Sequence, residues 1–229
     1  MNVRLIVPAA GMGLRLGHER PKALVSLAGK PLLLNTLERL SALGLLSGAV
    51  ITVPRGAESD FEALLCDAYP DGVFAIVAGG QERQESVAKA LNVLDRSTEI
   101  VVIHDAARPF VDPASVRASI EAAAEHGAST VAIPCSDTIL VADDEDMLVN
   151  TPDRRRLWAC QTPQTFRLDV IKQAHQQARA EGFTGTDDAT LVRRMGHPVK
   201  LVKGTPLNFK ITTPEDLALA ETIIDKGLV

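Results

Sequence analysis

The chain has 229 residues, 46% hydrophobic and 3% aromatic, with a formal net charge of −5 at pH 7. That length and apolar share suit one large aliphatic α/β core, and the negative balance excludes a global field that recruits nucleic acid. No run approaches the ~20 apolar residues of a membrane span, and Arg4 interrupts the first apolar stretch, so neither a membrane segment nor a secretory signal is expected. Cys66, Cys135 and Cys160 are widely spaced and lack metal-site spacing. They read as small buried hydrophobes in a reducing, cytoplasmic setting.

Val3–Pro8 reads as a buried strand, and it feeds the loop Pro8-Ala9-Ala10-Gly11-Met12-Gly13-Leu14-Arg15-Leu16, followed by Arg20-Pro21-Lys22. Backbone N–H groups after such a strand suit anionic phosphates. Gly11 and Gly13 are expected to supply positive φ and close approach. Arg15 adds a forked donor and Lys22 a point charge. The loop is not a Walker P-loop, and Leu16 stands where a dinucleotide fingerprint needs glycine. On the glycines alone, an ordinary βα turn is the alternative.

Further strands are expected at 48–53, 73–77, 100–104 and 129–133, each short and rich in Val or Ile. Helices alternate with them. Pro31 reads as the first position of a helix burying Leu33, Leu34, Leu37 and Leu40, with Gly44 near its end. Residues 82–95 form the next, with Val87, Leu91 and Leu94 inward. Asp112 caps a helix opened by Pro113 and stopped by Gly127. The last starts at Thr213-Pro214-Glu215-Asp216 and ends near Gly227. This order predicts a Rossmann-like three-layer sandwich with a mostly parallel central sheet. The alternation breaks at about 135–160. There Thr138-Ile139-Leu140-Val141 and Met147-Leu148-Val149 flank an acidic turn, which suggests a protruding β-hairpin arm.

The segment Pro8–Arg15 with Pro21-Lys22 is similar to the signature of nucleotidyltransferases that activate sugar phosphates. His104-Asp105-Ala106-Ala107-Arg108-Pro109 narrows the match. So do Gly79-Gly80-x-x-Arg83-x-x-Ser86-Val87, Asp137-Thr138, Gln161-Thr162-Pro163-Gln164, Thr186-Asp187-Asp188, and Lys210-Ile211-Thr212 with Pro214-Glu215-Asp216. Together they resemble the 2-C-methyl-D-erythritol 4-phosphate cytidylyltransferase family over nearly the whole chain. The resemblance implies one nucleotidyltransferase domain over 1–229 and a homodimer joined by the arm. It implies that Ala9, Ala10, Gly11, Gly13, Gly79, Gly80, Ser86 and Lys210 bind the nucleotide, CTP. It implies that Asp105, Arg108, Thr138, Arg154 and Thr186 bind a polyol phosphate, Thr138 and Arg154 from across the dimer. Arg155 and Arg156 compete with Arg154 for that role. Related enzymes often have Asp where Gln81 stands, which leaves backbone reading of the base intact.

Nucleotidyl transfer needs positioning and charge stabilisation more than covalent help. The attacking phosphate, with a second pKa of ~6, is already ionised near neutral pH. Arg15 and Lys22 are therefore the candidate catalytic residues. Mg2+ or another divalent cation is expected on the triphosphate, with Asp105 a possible protein ligand and none firmly named. Asp105 could instead serve a structural pair with Arg108, Lys210 could be an exposed lysine on an edge strand, and Thr186-Asp187-Asp188 a helix cap. His18, His104, His126, His175 and His197 form no metal-ligand group, and His104 reads as structural. Two other functions fit parts of the pattern: cytidylyl transfer to ribitol 5-phosphate, and non-catalytic nucleotide binding.

Overall fold

The computed structural model describes residues 1–17, 20–72 and 74–229. His18 and Val73, named above, lie outside the described residues. The strands are β1 (Val3–Pro8), β2 (Ser26–Leu27), β3 (Lys30–Pro31), β4 (Ala49–Val53), β5 (Phe74–Ala78), β6 (Ile100–Ile103), β7 (Ala128–Pro134), β8 (Val141–Ala142), β9 (Leu148–Asn150), β10 (Trp158–Arg167) and β11 (Lys200–Lys203). The helices are α1 (Leu32–Ser41), α2 (Glu58–Ala68), α3 (Arg83–Val93), α4 (Pro113–His126), α5 (Leu168–Ala180), α6 (Asp188–Arg194) and α7 (Pro214–Asp225).

Seven strands form the central sheet in the order β11-β7-β10-β6-β1-β4-β5. All neighbours are parallel except β10, which runs antiparallel to both β6 and β7. Side chains alternate across the strands, and helices cover each face. Leu5, Val7, Ile51, Val53 and Val102 pack against Leu33, Leu37 and Leu40 of α1, Phe61 and Leu65 of α2, and Val116 of α4. Ile6, Val50, Val101 and Ile103 point the other way, onto Val87 and Leu91 of α3, Ile171 of α5 and Val192 of α6. The three-layer expectation therefore holds.

A third cluster positions the site. Leu16 of the glycine loop, Ile211, and Ala220 and Ile223 of α7 pack together with Leu27, Leu32 and Phe110. Arg15 and Lys210 are thus each chain neighbours of an anchored apolar residue. Asp112 caps α4, accepting from the Ala114 and Ser115 N–H groups, and Gly127 ends it at φ 86°. Thr213 and Asp216 make the capping box of α7. β8 and β9 pair as a separate two-stranded ribbon, the hairpin expected there.

Several expectations need correction. Gly13 has φ −82°, and Gly11 is not among the positive-φ glycines; the loop turns at Gly17, φ 74°, after a short 3-10 turn over Leu14–Leu16. Pro31 precedes α1, because it is already paired within β3. Residues 208–212 are not a strand, and the edge strand beside β7 is β11. Cys66 and Cys160 are exposed and Cys135 is half-buried, because Phe61 and Leu65 take the inward face of α2 and Cys160 sits at an irregularity of β10.

Candidate active site

The glycine loop leaves the carboxyl end of β1 at the middle of the sheet, where open α/β sheets place ligands. The Ala9 N–H is tied to the Thr52 carbonyl at 2.8 Å. The loop then folds back on itself: Gly13 N–H donates to Arg20 O at 3.0 Å, and Lys22 N–H to Gly11 O at 2.9 Å. Among the described residues, the N–H groups of Ala10, Gly11 and Met12 have no partner. A Cβ at Gly11 would meet no protein atom within 4 Å, so its missing side chain leaves open space on the cleft.

That cleft is lined by Ala9, Ala10, Gly11, Arg15, Lys22, Gly80, Gln81, Glu82, Arg83, Ser86, Asp105 and Lys210, among others. Four cations face two carboxylates, which suits a polyanionic ligand. Burial first, then the charges of Lys210 and Arg15, pull the Lys22 ammonium down to about 8. Additional negative charge would reverse that pull.

The far wall is built by glycines that only glycine fits. A Cβ at Gly79 would overlap Ala10 Cβ, and one at Gly80 would overlap Glu85 Cβ. Gly80 N–H donates to Ser86 Oγ at 3.0 Å, and Lys89 Nζ holds Gly79 O at 2.7 Å. Gly79 and Gly80 also line an adjoining recess with Arg55 and Lys89.

Asp105 follows β6 and is the hub of an ion network. Lys210 Nζ lies 2.9 Å from Oδ2, Arg83 Nε 3.2 Å from Oδ1, and Arg108 Nε 3.8 Å from Oδ2. Burial pushes this carboxyl up, but Arg83, Lys210 and Arg108 outweigh it and hold it well below the usual carboxylate range. The loop is fixed from beneath. His104 Nε2 faces the Arg108 carbonyl at 3.1 Å and Nδ1 faces Thr162 Oγ1 at 3.0 Å. A carbonyl can only accept, so Nε2 carries the proton and Thr162 donates to Nδ1. Thr162 Oγ1 in turn accepts from Asp105 N–H at 3.1 Å. Burial pulls the His104 imidazole down to about 4, which keeps it neutral. The structural reading of His104 stands.

Lys210 reaches the cleft because Ile211 N–H bonds Ala107 O at 2.9 Å and Asn208 Nδ2 bonds Thr162 O at 2.7 Å. Arg108 is half-buried beside Asp105, with Nη1 on Asn208 O at 2.7 Å. Gly13 is buried in the loop, while Thr138, Arg154 and Thr186 are exposed and do not line the cleft. Arg154 lies in a 3-10 turn capped by Asp153, which also pairs with Arg155. Asp187, not Thr186, caps α6, and Asp188 is buried against Arg83 and His175. Residue reasoning gave no site role to Arg83, Asp188, Thr162 or Asn208. Arg83, Thr162 and Asp188 lie inside the quoted motifs, and Asn208 lies two residues before one.

Among the described residues no three His, Cys, Asp or Glu side chains gather as metal ligands. The carboxylates on the cleft are Asp105 and Glu82, and cations already engage Asp105. This donor set fits a divalent cation that arrives on phosphates and draws its shell from them and from water.

The family model for 2-C-methyl-D-erythritol 4-phosphate cytidylyltransferase matches residues 3–226. The chain belongs to that family. The 2-C-methyl-D-erythritol 4-phosphate cytidylyltransferase of Caldanaerobacter subterraneus is 44% identical over 99% of this chain and 100% of its own. That of Pelotomaculum thermopropionicum is 44% identical over 97% and 94%. Among solved structures, the enzyme of that name from Thermus thermophilus superposes with a TM-score of 0.80 at 35% identity, covering 98% of this chain and 100% of its own. The 4-diphosphocytidyl-2C-methyl-D-erythritol synthase of Anaerococcus prevotii gives 0.86 at 29% identity, covering 98% of both. The family assignment read from the motifs is correct, and the chain is a nucleotidyltransferase enzyme.

Proposed function

We infer that this chain transfers a cytidylyl group from CTP to 2-C-methyl-D-erythritol 4-phosphate, releasing pyrophosphate and CDP-methylerythritol. Family membership supports the reaction, and the cleft's surplus of cations beside unpartnered loop amides is the observation that carries it to these residues. Family membership also favours this acceptor over ribitol 5-phosphate, and makes the chain an enzyme rather than a passive binder.

In this reading the triphosphate lies on the Ala10, Gly11 and Met12 N–H groups, with the base against Gly79, Gly80 and Ser86. A phosphate oxygen of the polyol attacks the α-phosphorus as the bond to the leaving pyrophosphate breaks. That oxygen is already ionised, so no general base is needed. Arg15 and Lys22 stabilise the charge that builds on the α-phosphate and leaving group. Lys210, held by Asp105, adds a cation between the two substrates. Asp105 and Arg108 orient the polyol. A magnesium ion carried on the triphosphate would supply further charge neutralisation, and Asp105 and Glu82 are the cleft residues able to offer it an oxygen.

The chain is taken as one nucleotidyltransferase unit over 1–229, acting in the cytoplasm. Its arm at about 135–160 carries Ile139, Leu140, Val141, Met147, Leu148 and Val149, all 40–63% exposed. Such a stripe on a lone two-stranded ribbon suits burial against a second copy. A homodimer would also bring Thr138 and Arg154 to the partner's cleft, with Thr186 entering its own. The test is pyrophosphate release from CTP with each polyol phosphate in turn.

A further inference from the structure

Arg83 is left without a task by the reaction described above, yet it bridges two carboxylates at the cleft. It opens α3 and lines the cleft beside Asp105. Its Nε lies 3.2 Å from Asp105 Oδ1, and its Nη1 lies 2.6 Å from Asp188 Oδ2. The guanidinium therefore spans two carboxylates, one in the site and one behind it.

The rear carboxylate is itself braced. Asp188 is 1% exposed, and its other oxygen lies 2.9 Å from His175 Nε2 on α5. Gln164 of β10, fully buried, accepts from the Asp188 and Ala189 N–H groups at 2.9 and 3.1 Å, and so fixes the first turn of α6. Gln84, the next residue of α3, grips the same segment, accepting from Gly185 N–H at 2.8 Å and donating to Phe183 O at 3.0 Å. A planar fork held this way has one orientation, which a flexible ammonium cannot reproduce. Removing one partner from a buried charge set leaves another uncompensated.

We propose that Arg83, braced by Asp188, His175 and Gln164, is a positioning residue that fixes the orientation of the Asp105 carboxylate and thereby sets the affinity of the acceptor subsite. The proposal rests on the function inferred above. Arg83 takes Oδ1, leaving Oδ2 to Lys210 and Arg108. Without Arg83 the carboxylate can rotate about its Cβ–Cγ bond, and Lys210 loses its fixed anchor. The loop amides and the wall at Gly79, Gly80 and Ser86 do not depend on this chain of contacts, so nucleotide binding should be spared.

The charged and titratable groups facing Asp105 are Arg83 from α3, Arg108 from its own loop, Lys210 from the segment before α7 and, at longer range, Lys22 from the glycine loop. His104, adjacent in the chain, is held neutral by burial. Asp188 and His175 face Arg83 from α6 and α5. Losing Arg83 removes the largest of the charges that hold the Asp105 carboxyl low.

The experiment is steady-state kinetics of the full-length wild type, Arg83→Lys and Asp188→Asn with CTP and 2-C-methyl-D-erythritol 4-phosphate, each variant's folding checked by thermal melting. For Arg83→Lys the expected result is at least a 10-fold rise in acceptor KM, with CTP KM within 2-fold of wild type. Asp188→Asn, which touches Asp105 only through Arg83, should raise acceptor KM about 3- to 5-fold and also spare CTP KM. A merely structural Arg83 would lower the melting temperature and leave the ratio of acceptor KM to CTP KM unmoved. The proposal is overturned if either folded variant keeps wild-type acceptor KM, or if CTP KM rises in step. A wild type inactive with this pair of substrates would instead overturn the inferred function.

Discussion

At the scale of single residues, Lys22 carries the most consequence. Lys22→Ala should lower kcat by at least ~100-fold, because the lost charge acts on the transition state. Its fold should survive, since Lys22 opens a short 3-10 turn, Lys22–Leu24, that backbone bonds pin in place. Near-normal turnover in a folded Lys22→Ala enzyme would remove it from catalysis. The depressed ammonium also sets a pH limit. In the free enzyme Lys22 loses its proton near pH 8, so kcat/KM for CTP should fall as pH rises through about 8. Stability runs the other way, because the unfolded chain holds that proton up to about 10.4 and so binds more protons over that interval. His104 acts at the acid end. Its folded value of about 4 lies below the ~6.5 of an unfolded histidine, so its contribution is fully present above pH ~6.5 and lost as pH falls towards 4. Chemical denaturation at pH 7, 5.5 and 4.5 measures this, and a flat profile would contradict the neutral, buried imidazole.

Among elements, the strand-to-loop-to-helix joints decide the site. Gly79 and Gly80 come after β5 because Ala10 and Glu85 leave no room for a Cβ. Gly79→Ala should therefore push the glycine loop outward and raise KM for CTP, with a smaller effect on acceptor KM. An unchanged CTP KM would move the base away from this wall. β1, β4, β5, β6, β7, α1, α3, α4 and α7 were legible in sequence, because Val and Ile runs and the Asp112 and Thr213 caps are local signals; the short parallel edge strand β11 was not. β10 was not legible as one strand. It carries Trp158, Pro163 and the adjacent polar pairs Gln161-Thr162 and Gln164-Thr165, and its long antiparallel pairing with β6 and β7 is a tertiary choice. α5 and α6 were missed for the same reason: Asp188 and His175 look like surface residues until Arg83 is placed against them. Arg15, Lys22, Asp105 and Lys210 could be read from motif and charge. Their supports, Thr162, Gln164 and Asn208, act through hydrogen bonds spanning 24 to 58 positions, which no local pattern reveals.

For the whole molecule, the exposed apolar ribbon of β8 and β9 argues for assembly. Light scattering should give a dimer, and replacing Leu140 and Leu148 with aspartate should yield monomers of low activity. Mixing an Arg15→Ala chain with an Arg154→Ala chain should restore part of the activity, because one hybrid cleft keeps both residues. A fully active monomer would contradict the dimer. The central claim is narrower: this cleft joins CMP to a methylerythritol phosphate. Its most direct test is pyrophosphate release by the purified wild-type protein with CTP and magnesium, with 2-C-methyl-D-erythritol 4-phosphate or ribitol 5-phosphate as acceptor. Rapid release is expected with the first acceptor, little with the second, and little with ATP or GTP in place of CTP. Equal rates with both acceptors, or none with methylerythritol phosphate, would contradict it.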